Sequence, residues 1–277
     1  MAILNGKKLA LKIEKKLASA IHKNKLRPGL AVILIGRDPS SRVYVTLKEK
    51  AARRVGINFH KFTLPSKISQ KRVVNLIQKL NHNKKINGII IQMPLPKHLN
   101  PDKIVATIDP KKDVDGFVSG SKFISPAHQA VLALLKEAKK KIKNISPGLT
   151  RPGREKIIIL AKSLIFASPL KNLLEQKGAL VKIKLIKERN YLATMRKADI
   201  VIVAVGQPHF VKPFMIKKGA TIIDVGYNRL RNKPAGDVDP RVEKRVSYLS
   251  PVPGGVGPLT VVFLLKNVYL AAKGVEK

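Results

Sequence analysis

The 277-residue chain contains no cysteine and no tryptophan, and aromatic residues make up only 5% of it. Without cysteine there is no disulfide, no thiolate zinc site and no cysteine nucleophile. With so few aromatics there is no evident platform on which successive nucleobases would stack. No apolar run approaches the ~18 residues needed to cross a bilayer. The opening MAILNGKKLA lacks the pattern of an export signal, which favours a cytoplasmic protein away from membranes. Acidic residues are scarce: 17 Asp and Glu stand against 55 Lys and Arg, a formal net charge of +38. The six histidines (His22, His60, His82, His98, His128 and His209) show no HxH or HxxxH spacing, so no metal site is read. The chain also lacks a GxSxG nucleophile elbow and a Walker loop.

The positive charge attracts polyanions, among which nucleic acid and phosphorylated ligands are candidates. The lysines run along the whole chain, with one dense cluster, KKKIK at 139–143. Most of this charge therefore reads as a solvated surface, and nucleic-acid binding is not the favoured use of it.

Apolar periodicity divides the chain into two α/β halves. In the first, Leu9, Ile13, Leu17 and Ile21 form a helical stripe within 5–25, and LAVILI (30–35) is a continuous buried strand. A helix follows over 40–55, with Ser40 or Ser41 as its cap. Next come a strand at 58–64, a helix at 70–81 and the strand GIIIQM at 88–93. A helix over 125–143 and the linker NISPGLTRPG lead out. Alternation then restarts, with strands at 156–160, 180–186, 199–205 and 221–225, a Rossmann-like pattern. Continuous apolar strands between amphipathic helices argue for parallel sheets covered on both faces. A strand-like run at 245–249 and a final helix from Leu259, expected to pack back on the first domain, flank SPVPGGVGPLT. That loop holds three prolines and three glycines in eleven residues (250–260).

Four segments carry possible chemistry. Tyr44 and Lys48 lie four apart on one helix, so they share a face. A lysine in an apolar pocket loses basicity and can exchange protons near neutral pH; a plain surface lysine is the alternative. Gln92 interrupts an apolar strand at its carboxyl end, where parallel sheets place ligand-binding groups. Asp113 and Asp115 in KKDVDGF fit either an Asx-turn or acceptors for an amino-pyrimidine edge, and too few ligands surround them for calcium. The loop at 250–260 opens a helix, so its free N–H groups face whatever lies before it.

Taken in order, GLAVILIGRDPSS (29–41), YVTLK (44–48), IIIQMPLP (89–96), DVDGF (113–117), VAVGQP (203–208), IDVGYN (223–228), GDV (236–238) and PVPGGVGPLT (251–260) resemble the bifunctional methylenetetrahydrofolate dehydrogenase/methenyltetrahydrofolate cyclohydrolase family. The resemblance covers nearly the whole chain. It implies an α/β fold of two domains with a cleft between them. A three-layer α/β folate-binding, catalytic domain would comprise 1–140 plus 258–277, and a Rossmann-like NAD(P)-binding domain 141–257. It implies oxidation of methylenetetrahydrofolate with NADP, or NAD in some members, followed by hydrolysis to 10-formyltetrahydrofolate. It further implies tetrahydrofolate derivatives as ligands, no metal, and a homodimer. By the same resemblance Lys48 is the central catalytic residue, positioned by Gln92, with Tyr44 packing on the folate and Asp115 gripping the pterin. Pro253, Gly254 and Gly255 line the folate cleft, the glycines because side chains would collide with the ligand. Ala161, Lys162, Ser163, Lys187 and Tyr227 fall at the cofactor.

The chain departs from the family in its second half. The family's dinucleotide loop reads close to GRSxxVGxP, and here it is AKSLIFASP (161–169), with Ala161 and Ala167 in place of both glycines. If the first position needs φ > 0, alanine costs roughly 1–2 kcal/mol there, and its methyl would occupy space meant for cofactor or backbone. The next family segment, near CHSxT, is KLIKE (184–188). Glu188 would repel a 2′-phosphate, with Lys187 and Arg189 as compensation. A PxTP-like run is replaced by SPAHQA (125–130). These changes keep open a cyclohydrolase with weak or lost dehydrogenase activity, and the +38 charge keeps open a basic non-enzymatic nucleic-acid-binding relative.

Overall fold

The computed structural model describes residues 1–145, 156–188, 190–231 and 233–274, with side chains left out at 139–145. The KKKIK side chains, most of the linker read at 144–153, and Arg189 therefore lie outside the described residues. In chain order the elements are β1 (Ala2–Ile3), α1 (Gly6–Lys23), β2 (Gly29–Ile35), α2 (Pro39–Val55), β3 (Asn58–Leu64), α3 (Gln70–His82), β4 (Gly88–Gln92), α4 (Pro101–Val105) and α5 (Pro126–Ile145). There follow β5 (Lys156–Ala161), α6 (Leu164–Glu175), β6 (Leu180–Leu185), α7 (Tyr191–Met195), β7 (Ile200–Ala204), β8 (Thr221–Asp224), β9 (Asn228–Leu230), β10 (Lys233–Ala235), β11 (Tyr248–Leu249) and α8 (Val256–Ala272). The chain forms two compact units, Ala10–Pro126 with Thr260–Lys277, and Met1–Leu9 with Ala127–Leu259.

The first of these is built on a parallel sheet of order β3-β2-β4. Its central strand, GLAVILI, is buried along its whole length because both of its faces are covered. Leu30, Val32 and Leu34 face one way, into a core with Val45, Ala52 and Val55 of α2, Ile21 of α1 and Leu264 and Val268 of α8. Ala31, Ile33 and Ile35 face the other way, against Val73, Ile77 and Leu80 of α3 and Ile104 of α4. The period of two along one strand thus separates two cores and makes three layers. The expected return of the final helix to this half is observed.

The second unit carries a sheet of order β1-β11-β8-β7-β5-β6, parallel throughout. Ile158 and Leu160 of β5, Val201 and Val203 of β7 and Ile222 of β8 share one core with Met195 and Val242. Ala167, Leu170 and Leu174 form the buried side of α6.

Five sequence readings change. The first residues pair with the far end of the second sheet, Ala2 with Tyr248 and Ile3 with Leu249, so residues 1–9 belong to that unit. Residues 127–140 also group with it rather than with 1–126. The strand read at 245–249 shortens to Tyr248–Leu249, because a 3-10 turn over Pro240–Lys244 ends at Arg245. The last helix starts at Val256, three residues early; Pro258 is tolerated because a first-turn N–H has no helical partner. Finally, α2 is capped by Asp38, whose Oδ2 accepts from Ser41 N at 2.7 Å, with Pro39 opening the helix.

Candidate active site

In the three-stranded sheet the chain leaves β2 for β3 on one side and later places β4 on the other. Sheets of this kind bind ligands beyond the carboxyl ends of the strands where that order reverses, here β2 and β4. Gln92 is the last residue of β4, and α2, which follows β2, carries Tyr44 and Lys48 one turn apart, both half-buried. Lys48 Nζ donates to Gln92 Oε1 at 3.0 Å. Gln92 Nε2 donates to the Met93 carbonyl at 2.9 Å, and Ser41 Oγ donates to the same carbonyl at 3.0 Å. These bonds settle which way the Gln92 amide faces: its nitrogen is spent on Met93, so its oxygen meets the lysine.

The charges at this site are shifted. Burial holds the Lys48 ammonium below the usual lysine range, partly opposed by the negative charge of Asp115. Burial pushes the Asp115 carboxyl up, with Lys48 pulling it down and Asp113 adding to the rise. The two aspartates of DVDGF then part company. Asp113 is 1% exposed and braces the turn by accepting from Gly116 N at 3.1 Å and Val118 N at 2.7 Å. Asp115 instead shares the electrostatic environment of Lys48 and borders a cavity lined also by Ile91, Met93 and Phe117. The Asx-turn reading of this motif is borne out for Asp113. Sequence reasoning missed Ser41 as the brace of the Met93 carbonyl, having taken it for a helix cap.

Pro253, Gly254 and Gly255 stand in the other unit, on the loop before α8. Gly254 has φ +109, a conformation side chains disfavour, and its carbonyl accepts from Lys7 N at 2.9 Å. A Cβ on Gly255 would lie 2.6 Å from the Pro251 carbonyl oxygen and 3.0 Å from Ser250 Cβ. Packing inside the loop thus already demands glycine at 255, a reason the sequence reading had placed in the ligand. The peptides Val252–Pro253 and Met93–Pro94 are cis.

In the six-stranded sheet the order reverses between β5 and β7. Ala161 ends β5, Lys162 N donates to the Ala204 carbonyl of β7 at 3.1 Å, and Ser163 caps α6 in position without a side-chain cap bond. Lys162 and Ser163 are exposed. Neither Ala161 nor Ala167 is among the described residues with positive φ, and both side chains are 0% exposed. The expected backbone strain is therefore not there, and both methyls fill the unit's own core instead of cofactor space. Exposed Lys162, the Ser163 hydroxyl and the free N–H groups opening α6 suit a dinucleotide's diphosphate. Lys187 follows β6 and Tyr227 follows β8; both are exposed. Glu188 accepts from Leu185 N and from Lys184 Nζ, each at 2.9 Å, so its charge is held against a lysine.

A second network was not read from the sequence. Asp237 accepts from Val205 N at 2.6 Å, Gly206 N at 2.9 Å and Gln207 N at 3.0 Å, and from Asn228 Nδ2 at 2.8 Å. Asp224 accepts from Gly226 N at 2.9 Å, Asp237 N at 3.2 Å and Val238 N at 3.0 Å. Burial pushes the Asp224 carboxyl up to about 7, against the Val238 N–H bond and with help from the Asp237 charge. The VGQP loop beyond β7 thus hangs on Asp237. The clue in the sequence was an aspartate within two residues of a glycine in both IDVG and GDV.

Comparison with known proteins places both units. Residues 4–115 match the family model of the tetrahydrofolate dehydrogenase/cyclohydrolase catalytic domain, and residues 126–276 that of the tetrahydrofolate dehydrogenase/cyclohydrolase NAD(P)-binding domain. The bifunctional protein FolD of Acetivibrio thermocellus is 40% identical over 285 residues, covering 98% of this chain and 96% of that one. The crystal structure of the bifunctional FolD methylenetetrahydrofolate dehydrogenase/cyclohydrolase from Campylobacter jejuni superposes with TM-score 0.89 at 35% identity, covering 99% of each chain. The Trypanosoma brucei enzyme, solved with NADP and an inhibitor, superposes with TM-score 0.90 at 28% identity over 99% of this chain and 97% of that one. Among the described residues no group of His, Cys, Asp or Glu could hold a metal ion, and no helix is long and apolar enough to cross a membrane.

Proposed function

Because this chain belongs to the tetrahydrofolate dehydrogenase/cyclohydrolase family, we propose that it runs both reactions of that family at one folate site centred on Lys48. Methylenetetrahydrofolate is oxidised to methenyltetrahydrofolate, and water then opens the methenyl ring to 10-formyltetrahydrofolate. NADP or NAD, held by Ala161, Lys162, Ser163, Lys187 and Tyr227, supplies the hydride acceptor for the first step. That step moves no proton, so the residues around it serve by holding the reacting carbons in register.

Ring opening is where Lys48 acts. The observation that carries this reading is the 3.0 Å bond from Lys48 Nζ to Gln92 Oε1 in a setting that disfavours the ammonium. A lysine held below its usual range yields free amine at milder pH. The amine takes a proton from the water that attacks the methenyl carbon. Lys48 then returns it to the ring nitrogen as the carbon–nitrogen bond breaks, and the second proton of the water leaves to solvent. Gln92 fixes the direction of the amine, Tyr44 packs on the folate, and Asp115 accepts from the amino edge of the pterin. Pro253, Gly254 and Gly255, on the loop before α8, are read as folate-binding residues as well. We extend the reading to a cytoplasmic homodimer, checked by cell fractionation and by the mass of the purified protein in solution.

The test measures reduced nucleotide from methylenetetrahydrofolate with NADP and NAD supplied separately, and ring opening of methenyltetrahydrofolate with no nucleotide. Both activities are expected. Ring opening with neither nucleotide reduced would leave a cyclohydrolase alone, and absence of ring opening would overturn the role of Lys48.

A further inference from the structure

Two of the stretches in which the chain departs from its family meet in space. SPAHQA contributes His128 on α5, and AKSLIFASP contributes Phe166 in the first turn of α6. His128 is 5% exposed, and its Nε2 lies 2.9 Å from the Phe166 carbonyl oxygen. The two rings also touch, with centroids 4.9 Å apart and planes tilted by 49°. A carbonyl only accepts, so the imidazole donates through Nε2. Burial holds His128 below the usual histidine range, partly opposed by that bond, which leaves it a neutral donor.

The first turn of α6 needs such a partner. Ser163 stands at the cap position without a side-chain cap bond, and Pro169 lies inside the helix. Proline has no N–H, so the rung it would give to the Ile165 carbonyl is missing. The turn that presents N–H groups at the sheet's switch point is therefore weak at its start and lacks a rung next to Phe166. We infer that His128 is a positioning residue for the dinucleotide site, fixing the first turn of α6 against α5 through the Phe166 carbonyl and ring. The two departures then act as one unit. This rests on the proposed dinucleotide-dependent activity.

The test compares His128→Leu, which fills the space without a donor, with His128→Gln, which keeps an N–H. Dinucleotide affinity is read by calorimetry with NADP and NAD, the KM of each substrate by nucleotide reduction, and ring opening without nucleotide. The leucine variant should bind dinucleotide about five- to tenfold more weakly and show the same rise in dinucleotide KM, as for loss of one buried hydrogen bond. Its folate KM and ring opening should stay within about twofold of the parent, and glutamine should restore most of the affinity. Unchanged affinity in the leucine variant overturns the inference, as does a parallel loss of ring opening. Should that variant not fold, Phe166→Leu decides, because it keeps the bond and loses the ring contact. A weakening of about two- to threefold with ring opening intact supports the assignment, and unchanged affinity overturns it. A wild-type enzyme that binds neither nucleotide would refute the parent reading instead.

Discussion

The Lys48 site and the β5–α6 turn occupy equivalent places in their two units, each at the carboxyl end of a parallel sheet where strand order reverses. They tolerate change differently. Around Lys48 the family segments YVTLK, QMPLP and DVDGF stand unaltered, and side-chain hydrogen bonds tie the site together: Nζ on Gln92, the Gln92 nitrogen on Met93, Ser41 on the same carbonyl. At the β5–α6 turn both family glycines have become alanine, and the chain accepts them because those positions keep ordinary φ and direct their methyls inward. A site made of side-chain hydrogen bonds needs those side chains. A site made of backbone N–H groups needs only that the backbone be held, by whatever residues can hold it.

The sharpest way to break this contrast is to remove Lys48. Lys48→Met keeps the length and apolar stem and deletes the amine. Ring opening should fall by about 10²–10⁴-fold, the usual worth of a positioned proton-transfer group, while dinucleotide affinity by calorimetry stays at the wild-type value. Unchanged ring opening would mean that the Lys48–Gln92 pair is structural.

A second test asks whether the dinucleotide unit has its own indispensable side chain. Asp237→Ala strips the acceptor from three backbone N–H groups and from Asn228. Only the bond to Val205 N is buried, the others being part-buried, and an unpaired buried donor costs roughly 1–3 kcal/mol, so urea unfolding should show a loss of about 1–3 kcal/mol. Nucleotide reduction should fall with it. A loss under about 1 kcal/mol would show that water or relaxation replaces the carboxylate.

The third effect is a shift in a pH profile. If the free amine of Lys48 opens the ring, the rate rises with pH through its depressed pKa. Asp115 raises that pKa by its charge. Asp115→Asn removes the charge, so the rising limb should move to lower pH while the KM for folate increases. A limb that moves to higher pH, or does not move, would separate Asp115 from the proton chemistry.

Much of this was legible in the chain. GLAVILI and GIIIQ are continuous apolar runs, which only strands covered on both faces use, and so the parallel sheets could be read directly. Gln92 stood out because a polar group in an apolar strand must have a partner, whereas Lys48 and Asp115 were singled out as site residues through the family resemblance. What escaped depends on pairing across long stretches of sequence. Two residues at the start, Ala2 and Ile3, carry too little periodicity to announce a strand. Ser41 resembles a helix cap until the Met93 carbonyl arrives beside it. Asp237 looks like any turn aspartate until the loop at Val205–Gln207 reaches its carboxylate. The alanines at 161 and 167 were misjudged for a related reason: residue type signals a required φ only when the backbone there is known.

The smallest expected effect is the one that tests the contrast from the other side. Restoring the family residues with Ala161→Gly and Ala167→Gly removes two methyls from the core and puts glycine into a strand end and a helix. Glycine in a helix costs about 1 kcal/mol relative to alanine, and at a strand end somewhat less. The double variant should therefore be less stable by about 1–2 kcal/mol in urea unfolding. Dinucleotide affinity should change by less than about threefold, under ~0.7 kcal/mol, because neither methyl faces the exposed surface where Lys162 and Ser163 lie. A tenfold gain in affinity would mean that the alanines hinder the cofactor after all. The β5–α6 turn would then depend on residue type as strictly as the Lys48 site does, and the distinction between a side-chain site and a backbone site in this protein would fall.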